Sequence, residues 1–125
     1  MTTEQFFYRN AIFSKRDNSV AIIDLNDPEK KREDMEPWFG VVYQLADGQH
    51  TIEELHNLLT QKYSGGAPPD LLRTLLSIIE RMADAKLLIL TDVKTELPYY
   101  LSMPYELMDI DKAKNLLSKD NASGN

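Results

Sequence analysis

The stretch LADGQHTIEEL, residues 45–55, constrains the fold of this chain more than any other stretch. Gly48 follows an apolar segment, and we expect it to take the left-handed conformation that ends a helix. Thr51 then begins a capping box, in which its hydroxyl accepts from the N–H of Glu54 and the Glu54 carboxylate accepts from the N–H of Thr51. The stretch therefore predicts a sharp joint between two helices.

Helical periodicity continues on both sides of this joint. The segment PWFGVVYQLAD places Pro37 in a first helical turn, where its missing N–H costs nothing. Its predicted buried face consists of Trp38, Val41, Val42 and Leu45. The predicted buried stripe of the second helix consists of Ile52, Leu55, Leu58, Leu59 and Tyr63. A third and longer helix is predicted after Asp70 as the N-cap, and a short extended segment, LLILTD, follows it.

The third helix carries an apolar surface that is wider than the stripe of a helix packed on one side. Its apolar residues are Leu71, Leu72, Leu75, Leu76, Ile78, Ile79 and Met82. Either two faces of this helix are covered by the protein, or one face is available to a ligand.

The N-terminal region predicts β-structure. Aromatic and β-branched residues flank the polar turn SKRDNS, which indicates an antiparallel hairpin from Tyr8 to Leu25 that turns at Arg16–Ser19. Phe6–Tyr8 is a candidate for an additional first strand. The charged residues 26–36 predict a solvated loop.

We therefore predict the α+β class and a winged helix-turn-helix, in which an N-terminal antiparallel β-hairpin or three-stranded sheet is followed by three helices. This domain is expected to span residues 1–95. Residues 96–125 are expected to form a C-terminal extension, helical over 105–117 and disordered over 118–125. The extension contains Tyr99, Tyr100 and Tyr105, which either anchor a partner or fold back on the domain.

Composition narrows the function. The net charge of −6 argues against a nucleic-acid binder, because phosphate neutralisation needs clustered Lys and Arg. The chain has no Cys, and its two histidines, His50 and His56, are six residues apart, so we expect no metal site and no cofactor. Neither a nucleophile motif nor a phosphate loop is present, which predicts a protein that is not an enzyme. No apolar run approaches the roughly 20 residues that span a membrane, and the expected location is the cytoplasm.

The central segment resembles the PqqD-like proteins, which are also called RiPP precursor recognition elements. The resemblance rests on the pattern Leu, Asp-Gly, Thr, Glu and a Leu-rich helix ending in Tyr, which reads YQLADGQHTIEELHNLLTQKY here. The long helix and closing apolar strand LLRTLLSIIERMADAKLLIL follow, and Leu25-Asn26 matches the end of the family's third strand. Residues 27–36 have no counterpart in the family pattern, which leaves the strand register open.

The resemblance implies a non-catalytic chaperone that binds the leader of a ribosomally made precursor peptide. It also implies a modifying enzyme as partner, most typically a radical S-adenosylmethionine (radical SAM) maturase. In the family, the leader adds as a strand to the sheet edge beside the third helix.

Strand addition is consistent with the residues of the predicted edge strand. Its faces are both partly apolar, with Ala21, Ile23 and Leu25 on one side and Val20 and Ile22 on the other, whereas a strand covered on one side usually alternates with polar residues. The predicted peptide-binding residues are Val20, Ala21, Ile22, Ile23, Asp24, Leu25, Leu72, Arg73 and Leu76. Arg73 would contact an acidic leader.

Two other classes of function stay open from the sequence. One is a winged-helix DNA-binding regulator, and the other is a structural accessory subunit without a peptide ligand. The DNA-binding alternative would need a basic recognition helix, but the segment TIEELHNLLTQKY contains two acidic residues, Glu53 and Glu54, and one basic residue, Lys62.

Overall fold

The computed structural model describes residues 2–27 and 31–123 and shows an α+β protein. Its elements in chain order are β1 (Phe6–Arg9), β2 (Phe13–Arg16), β3 (Ser19–Ile22), α1 (Pro37–Gln44), β4 (Asp47–Thr51), α2 (Ile52–Thr60), α3 (Leu71–Asp84), β5 (Leu88–Thr91), α4 (Tyr99–Ser102), a 3-10 helix (Tyr105–Leu107) and α5 (Ile110–Ser123). The chain divides into two compact units. The first unit contains Met1–Asn10 and Val41–Glu96, and the second contains Ala11–Gly40 and Leu97–Asn125.

The first unit contains a three-stranded antiparallel sheet in the order β4-β1-β5. The N-terminal strand β1 is its central strand, with Phe6 opposite both Thr51 and Thr91. A three-stranded sheet is therefore present, as one of the two alternatives predicted, but β1 is joined by β4 and β5, which are distant in sequence, and not by β2 and β3. This central position buries Phe7, which is 1% exposed.

The joint at Gly48 differs from the prediction in one respect. Gly48 has the expected positive φ of 77°, but it lies inside strand β4 and does not cap a helix. The β1–β4 register shifts between Phe6 and Tyr8, so Gly48 lies in a bulge of the sheet. The capping box is confirmed: the Glu54 N–H donates to the Thr51 hydroxyl over 3.2 Å, and the Thr51 N–H donates to the Glu54 carboxylate over 3.0 Å.

The helices form where the sequence predicts them, but two buried faces differ. Helix α1 buries Val42 and Tyr43, whereas Trp38 and Val41 are exposed. Helix α2 buries Ile52, Leu55 and Leu59, and Leu58 is 43% exposed. Asp70 is at the N-cap position of α3, as predicted, but its side chain makes no capping hydrogen bond.

Helix α3 buries Leu71, Leu75, Ile78, Ile79 and Met82. Its C-terminus is a Schellman motif, in which the Leu87 N–H donates to the Met82 carbonyl and the Lys86 N–H donates to the Ala83 carbonyl. Lys86 occupies the left-handed position of this motif with a φ of 63°. The motif turns the chain directly into β5.

The second unit contains a β-hairpin with the predicted turn between Arg16 and Ser19. Its strands span Phe13–Ile22 and not Tyr8–Leu25 as predicted, because Tyr8 belongs to β1 of the other sheet. The C-terminal extension belongs to this unit. Its buried cluster consists of Ile12, Leu25, Leu101, Met108 and Ala113. Helix α5 begins at Ile110 and continues through residues 118–123, a segment for which the sequence predicts disorder. Residues 28–30 of the predicted loop and 124–125 of the predicted tail lie outside the described residues.

None of the helices within residues 2–27 and 31–123 has the length and apolar character needed to cross a membrane.

Candidate functional site

An open groove on helix α3 brings together three of the predicted peptide-binding residues. Its volume is about 530 Å³, and it is lined by Pro69, Asp70, Leu72, Arg73, Leu76, Ser77 and Glu80. Leu72 and Leu76 are half-buried and one helical turn apart, so they form an apolar stripe. Arg73 is exposed beside them, and it is the only cation among the residues that line the groove. The groove therefore offers an apolar stripe for apolar side chains and one guanidinium for a carboxylate, beside the two acidic side chains of Asp70 and Glu80.

The predicted residues of the edge strand lie in the second unit. Val20, Ala21 and Leu25 are buried, with exposures of 1%, 0% and 3%. Ile22 is 38% exposed. The Asp24 carboxylate accepts from the N–H of Asn26 over 2.9 Å, so this side chain stabilises the turn that follows β3.

Strand β3 ends at Ile22, so Ile23, Asp24 and Leu25 are not strand residues as predicted. The turn at Asp24 ends the strand, because the N–H of Asp27 donates to the Asp24 carbonyl. A peptide that adds to β3 therefore has only Ser19–Ile22 to pair with.

The free edge of β3 is partly occupied by the chain itself. The N–H of Met35 donates to the carbonyl of Val20 over 2.7 Å at this edge. The guanidinium of Arg32 also donates to the carbonyl of Ser19 over 2.8 Å, but Ser19 pairs with Arg16 next to the turn, so its backbone groups face β2. In an antiparallel pair, alternate residues direct their backbone groups away from the partner strand. By this alternation, Ile22 directs its N–H and C=O to the same edge as Val20. The described residues provide no hydrogen-bond partner for them.

The two apolar faces of β3 are largely covered within the second unit, and Ile22, at 38% exposed, is the exception. Ile23 and Leu25 pack with the C-terminal extension, which contributes Leu101 and Met108 to the shared cluster. On the other face, Gly40 approaches Val20 so closely that a Cβ on Gly40 would be 3.3 Å from the Val20 side chain. The apolar character of both faces is therefore explained by packing within the chain.

The tyrosines of the extension fold back on the second unit. Tyr99, Tyr100 and Tyr105 pack against the buried cluster. The Tyr99 hydroxyl accepts from the N–H of Asp109, and the Tyr100 hydroxyl donates to Asp120 over 2.7 Å. Burial, together with this bond to a carboxylate, raises the pKa of Tyr100 to about 12. Of the two alternatives for these residues, the structure supports folding back.

A polar network that the sequence did not reveal is centred on Ser14, whose exposure is 0%. The Ser14 hydroxyl donates to the Glu106 carboxylate over 2.5 Å and accepts from the Arg32 guanidinium. Glu106 also accepts from the backbone N–H of Lys15 over 2.8 Å, which occupies the outer edge of β2. Burial alone would raise the pKa of Glu106, but hydrogen bonds from Ser14, Lys15 and Arg16 outweigh it and hold the pKa below its usual value.

Arg9 is a second buried polar residue, with an exposure of 4%. Its guanidinium donates to the carbonyl of Gln44 over 2.8 Å and to that of Tyr43 over 3.4 Å, and therefore caps the C-terminus of α1. Burial lowers the pKa of Arg9, while Tyr43 and Asp47 oppose this effect. Arg9 is thus committed to the structure of the first unit.

A second groove lies between α2 and β4, in a region for which the sequence predicts only a turn. Its volume is about 370 Å³, and it is lined by Phe7, Leu45, Asp47, His50, Glu54, Leu55, Asn57, Leu58 and Gln61. In the sequence, Leu58 is the residue that points to this groove, because it adds apolar surface to α2 beyond the residues that the core needs.

A comparison of the chain with protein-family models, with curated proteins and with solved structures found no match. Among residues 2–27 and 31–123, no three His, Asp or Glu side chains are grouped so as to hold a metal ion.

Proposed function

We propose that this protein is a non-catalytic, cytoplasmic peptide-binding chaperone. On this proposal, it binds the leader of a ribosomally synthesised precursor and presents the peptide to a modifying enzyme, for which a radical SAM maturase is the leading candidate. It needs no cofactor of its own, because its role is to bind and to orient a peptide. The proposal begins from the resemblance of residues 6–90 to PqqD-like proteins.

The observation that carries the proposal is the α3 groove, with its apolar stripe of Leu72 and Leu76 and the guanidinium of Arg73. A peptide needs apolar anchors for affinity and a charge contact for orientation, and this groove offers both. The protein as a whole is acidic, with a net charge of −6. The net negative charge of the protein repels an acidic leader, and Arg73 would supply the local attraction for one of the leader's carboxylates.

We further propose that the first unit is a winged helix. Its element order is the second half of α1, then β4, α2, α3 and β5, which is helix, strand, helix, helix and strand. β1 supplies the third strand of the sheet. The first turn of α2 contains Glu53 and Glu54, a charge pattern that favours a peptide over a nucleic-acid backbone.

The test is a selection from a display library of random 15-residue peptides on the immobilised protein, followed by affinity measurements on the enriched peptides. We expect enriched peptides to combine apolar residues with Asp or Glu. Leu76→Lys should reduce their affinity about tenfold or more, since it places a charge among apolar contacts. Thr74→Lys is the matched control, because Thr74 is exposed on the same helix and does not line the groove.

Strand addition is tested separately at β3. Ile22→Pro removes an N–H that faces away from β2, so the hairpin should keep its own hydrogen bonds while the pairing of a peptide with β3 is lost. Ile22→Val keeps the N–H and should bind as the parent does. The proposal fails if no peptide is enriched, if Leu76→Lys and Thr74→Lys have equal effects, or if duplex DNA binds at physiological salt.

A further inference from the structure

The groove between α2 and β4 has a chemistry that differs from that of the α3 groove. Its apolar lining includes Phe7 and Leu55, which are 1% and 3% exposed. Leu58 also lines the groove and is 43% exposed. An exposed leucine beside a concave apolar surface is where a partner side chain gains most by burial.

The ionisable residues of this groove are two carboxylates and one imidazole, and Nδ1 of His50 lies 3.2 Å from the Asp47 carboxylate. Asp47 and Glu54 line it, and neither Lys nor Arg does so. Both carboxylates are fixed by contacts within the chain: Asp47 accepts from the Gln49 N–H over 2.9 Å, and Glu54 accepts from the Thr51 N–H over 3.0 Å. Because each contact uses one carboxylate oxygen, the other oxygen of each pair is available for a cation.

From this geometry we infer that the α2–β4 groove is a docking surface for a partner-protein segment in which apolar side chains are flanked by Lys or Arg. The apolar side chain fills the space beside Leu58, and the cation pairs with Glu54 or Asp47. This surface is separate from the α3 groove, so the inference does not depend on the proposed peptide function. It supplies a contact for a second macromolecule.

The probes are two synthetic amphipathic peptides of equal length, one made of Leu and Lys and the other of Leu and Glu. Each is titrated into isotope-labelled full-length protein at low and at physiological salt, and backbone amide shifts are followed by NMR. We expect the Leu/Lys peptide to shift amides of residues 47–61, and we expect the Leu/Glu peptide to shift none of them.

Two pairs of matched variants separate a specific groove from general charge attraction. Glu54→Gln removes one charge and keeps the capping hydrogen bonds, and it should weaken binding about two- to fivefold. Glu53→Gln makes the same change of charge in the same turn but outside the groove, and it should have a smaller effect. Leu58→Ser should weaken binding about tenfold, whereas Val93→Ser, which alters an exposed residue elsewhere in the first unit, should not.

Three results would overturn the inference. Equal effects of Glu53→Gln and Glu54→Gln would indicate non-specific attraction, and amide shifts that leave residues 47–61 unchanged and appear in segments that do not line the groove would place the peptide elsewhere. Sedimentation of the protein alone provides the third, since a dimer that Leu58→Ser dissociates would mean that a second copy of the chain fills the groove. Thermal melts of each variant confirm that the fold is intact.

Discussion

Replacing Gly48 with Ala should destabilise this protein more than replacing any other left-handed glycine described here. Gly48 has a φ of 77°, and a Cβ built on it would be 2.3 Å from the carbonyl oxygen of Thr95. No pair of heavy atoms that are not covalently bonded tolerates that separation, and the obstructing atom belongs to the backbone. Segment 92–96 must therefore move in the variant.

The magnitude follows from the contacts that such a movement breaks. The left-handed conformation costs a residue with a Cβ about 1–2 kcal/mol. Displacing Thr95 puts two hydrogen bonds at risk, from the Thr95 N–H to the Gly48 carbonyl and from the Gln49 amide to the Thr95 carbonyl, both 2.9 Å long. Each contributes about 1 kcal/mol. The free energy of unfolding should fall by about 2–4 kcal/mol, which corresponds to a decrease in Tm of roughly 10 °C.

Gly65→Ala provides the internal control. Gly65 has a φ of 83°, and nothing lies within 4 Å of a Cβ built there. This variant therefore reports the conformational cost alone, and the reduced entropy of the unfolded chain is common to both substitutions. Urea unfolding followed by circular dichroism gives both free energies. If Gly65→Ala loses as much stability as Gly48→Ala, the close approach of Thr95 is not a constraint and the reasoning is wrong.

Three further predictions concern stability. Thr51→Ala should lower the free energy of unfolding by about 1 kcal/mol through loss of the α2 cap, and a thermal melt equal to that of the parent would contradict this. Lys86→Gly should raise the free energy of unfolding by about 0.5–1 kcal/mol, because Lys86 occupies a left-handed position with a φ of 63°; a decrease in urea unfolding experiments would refute it. Because the folded-state pKa of Glu106 is lowered, its contribution is complete above the unfolded pKa, near 4.3, and is lost as the pH falls through the folded value. Stability measured from pH 6 to pH 3 should therefore fall less steeply in Glu106→Gln than in the parent, and parallel curves would show that Glu106 contributes nothing to the pH dependence.

Local signals in this sequence predicted local structure well. The capping box at Thr51, the left-handed Gly48, the hairpin turn after Arg16 and the third helix all depend on neighbouring residues, and the structure contains each of them. The closing strand after α3 follows from the same kind of signal, because an apolar run begins directly after the helix end.

The sequence did not predict the pairing of β1 with the distant strands β4 and β5. Strand β4 reads DGQHT, which lacks the alternation of apolar and polar residues that marks a strand, since its formation depends on pairing with β1. The predicted face of α1 was wrong, since Tyr43 is fully buried and Trp38 is 39% exposed. Helical spacing does not show which face of a helix the rest of the protein covers.

The sequence predicted only part of the candidate site, because it predicts which residues of one helix lie together but not which elements pack against a strand. Leu72, Arg73 and Leu76 share one groove because they are close in sequence on one helix. The apolar faces of β3 were interpreted as space for a peptide, whereas Ile23 and Leu25 pack with the C-terminal extension. The tyrosine-rich segment after residue 97 was the indication in the sequence that the C-terminal extension packs against the residues that follow β3.

The central position of β1 sets an order of events during synthesis. Phe6–Arg9 is synthesised before the two strands that it pairs with, Asp47–Thr51 and Leu88–Thr91. At about 5–20 residues per second, the nascent strand waits for several seconds with both backbone edges unpaired. Such a strand is open to pairing with other nascent chains. A chain that stops before Leu88 leaves β1 with an open edge, so premature termination should yield aggregates and not a smaller folded domain.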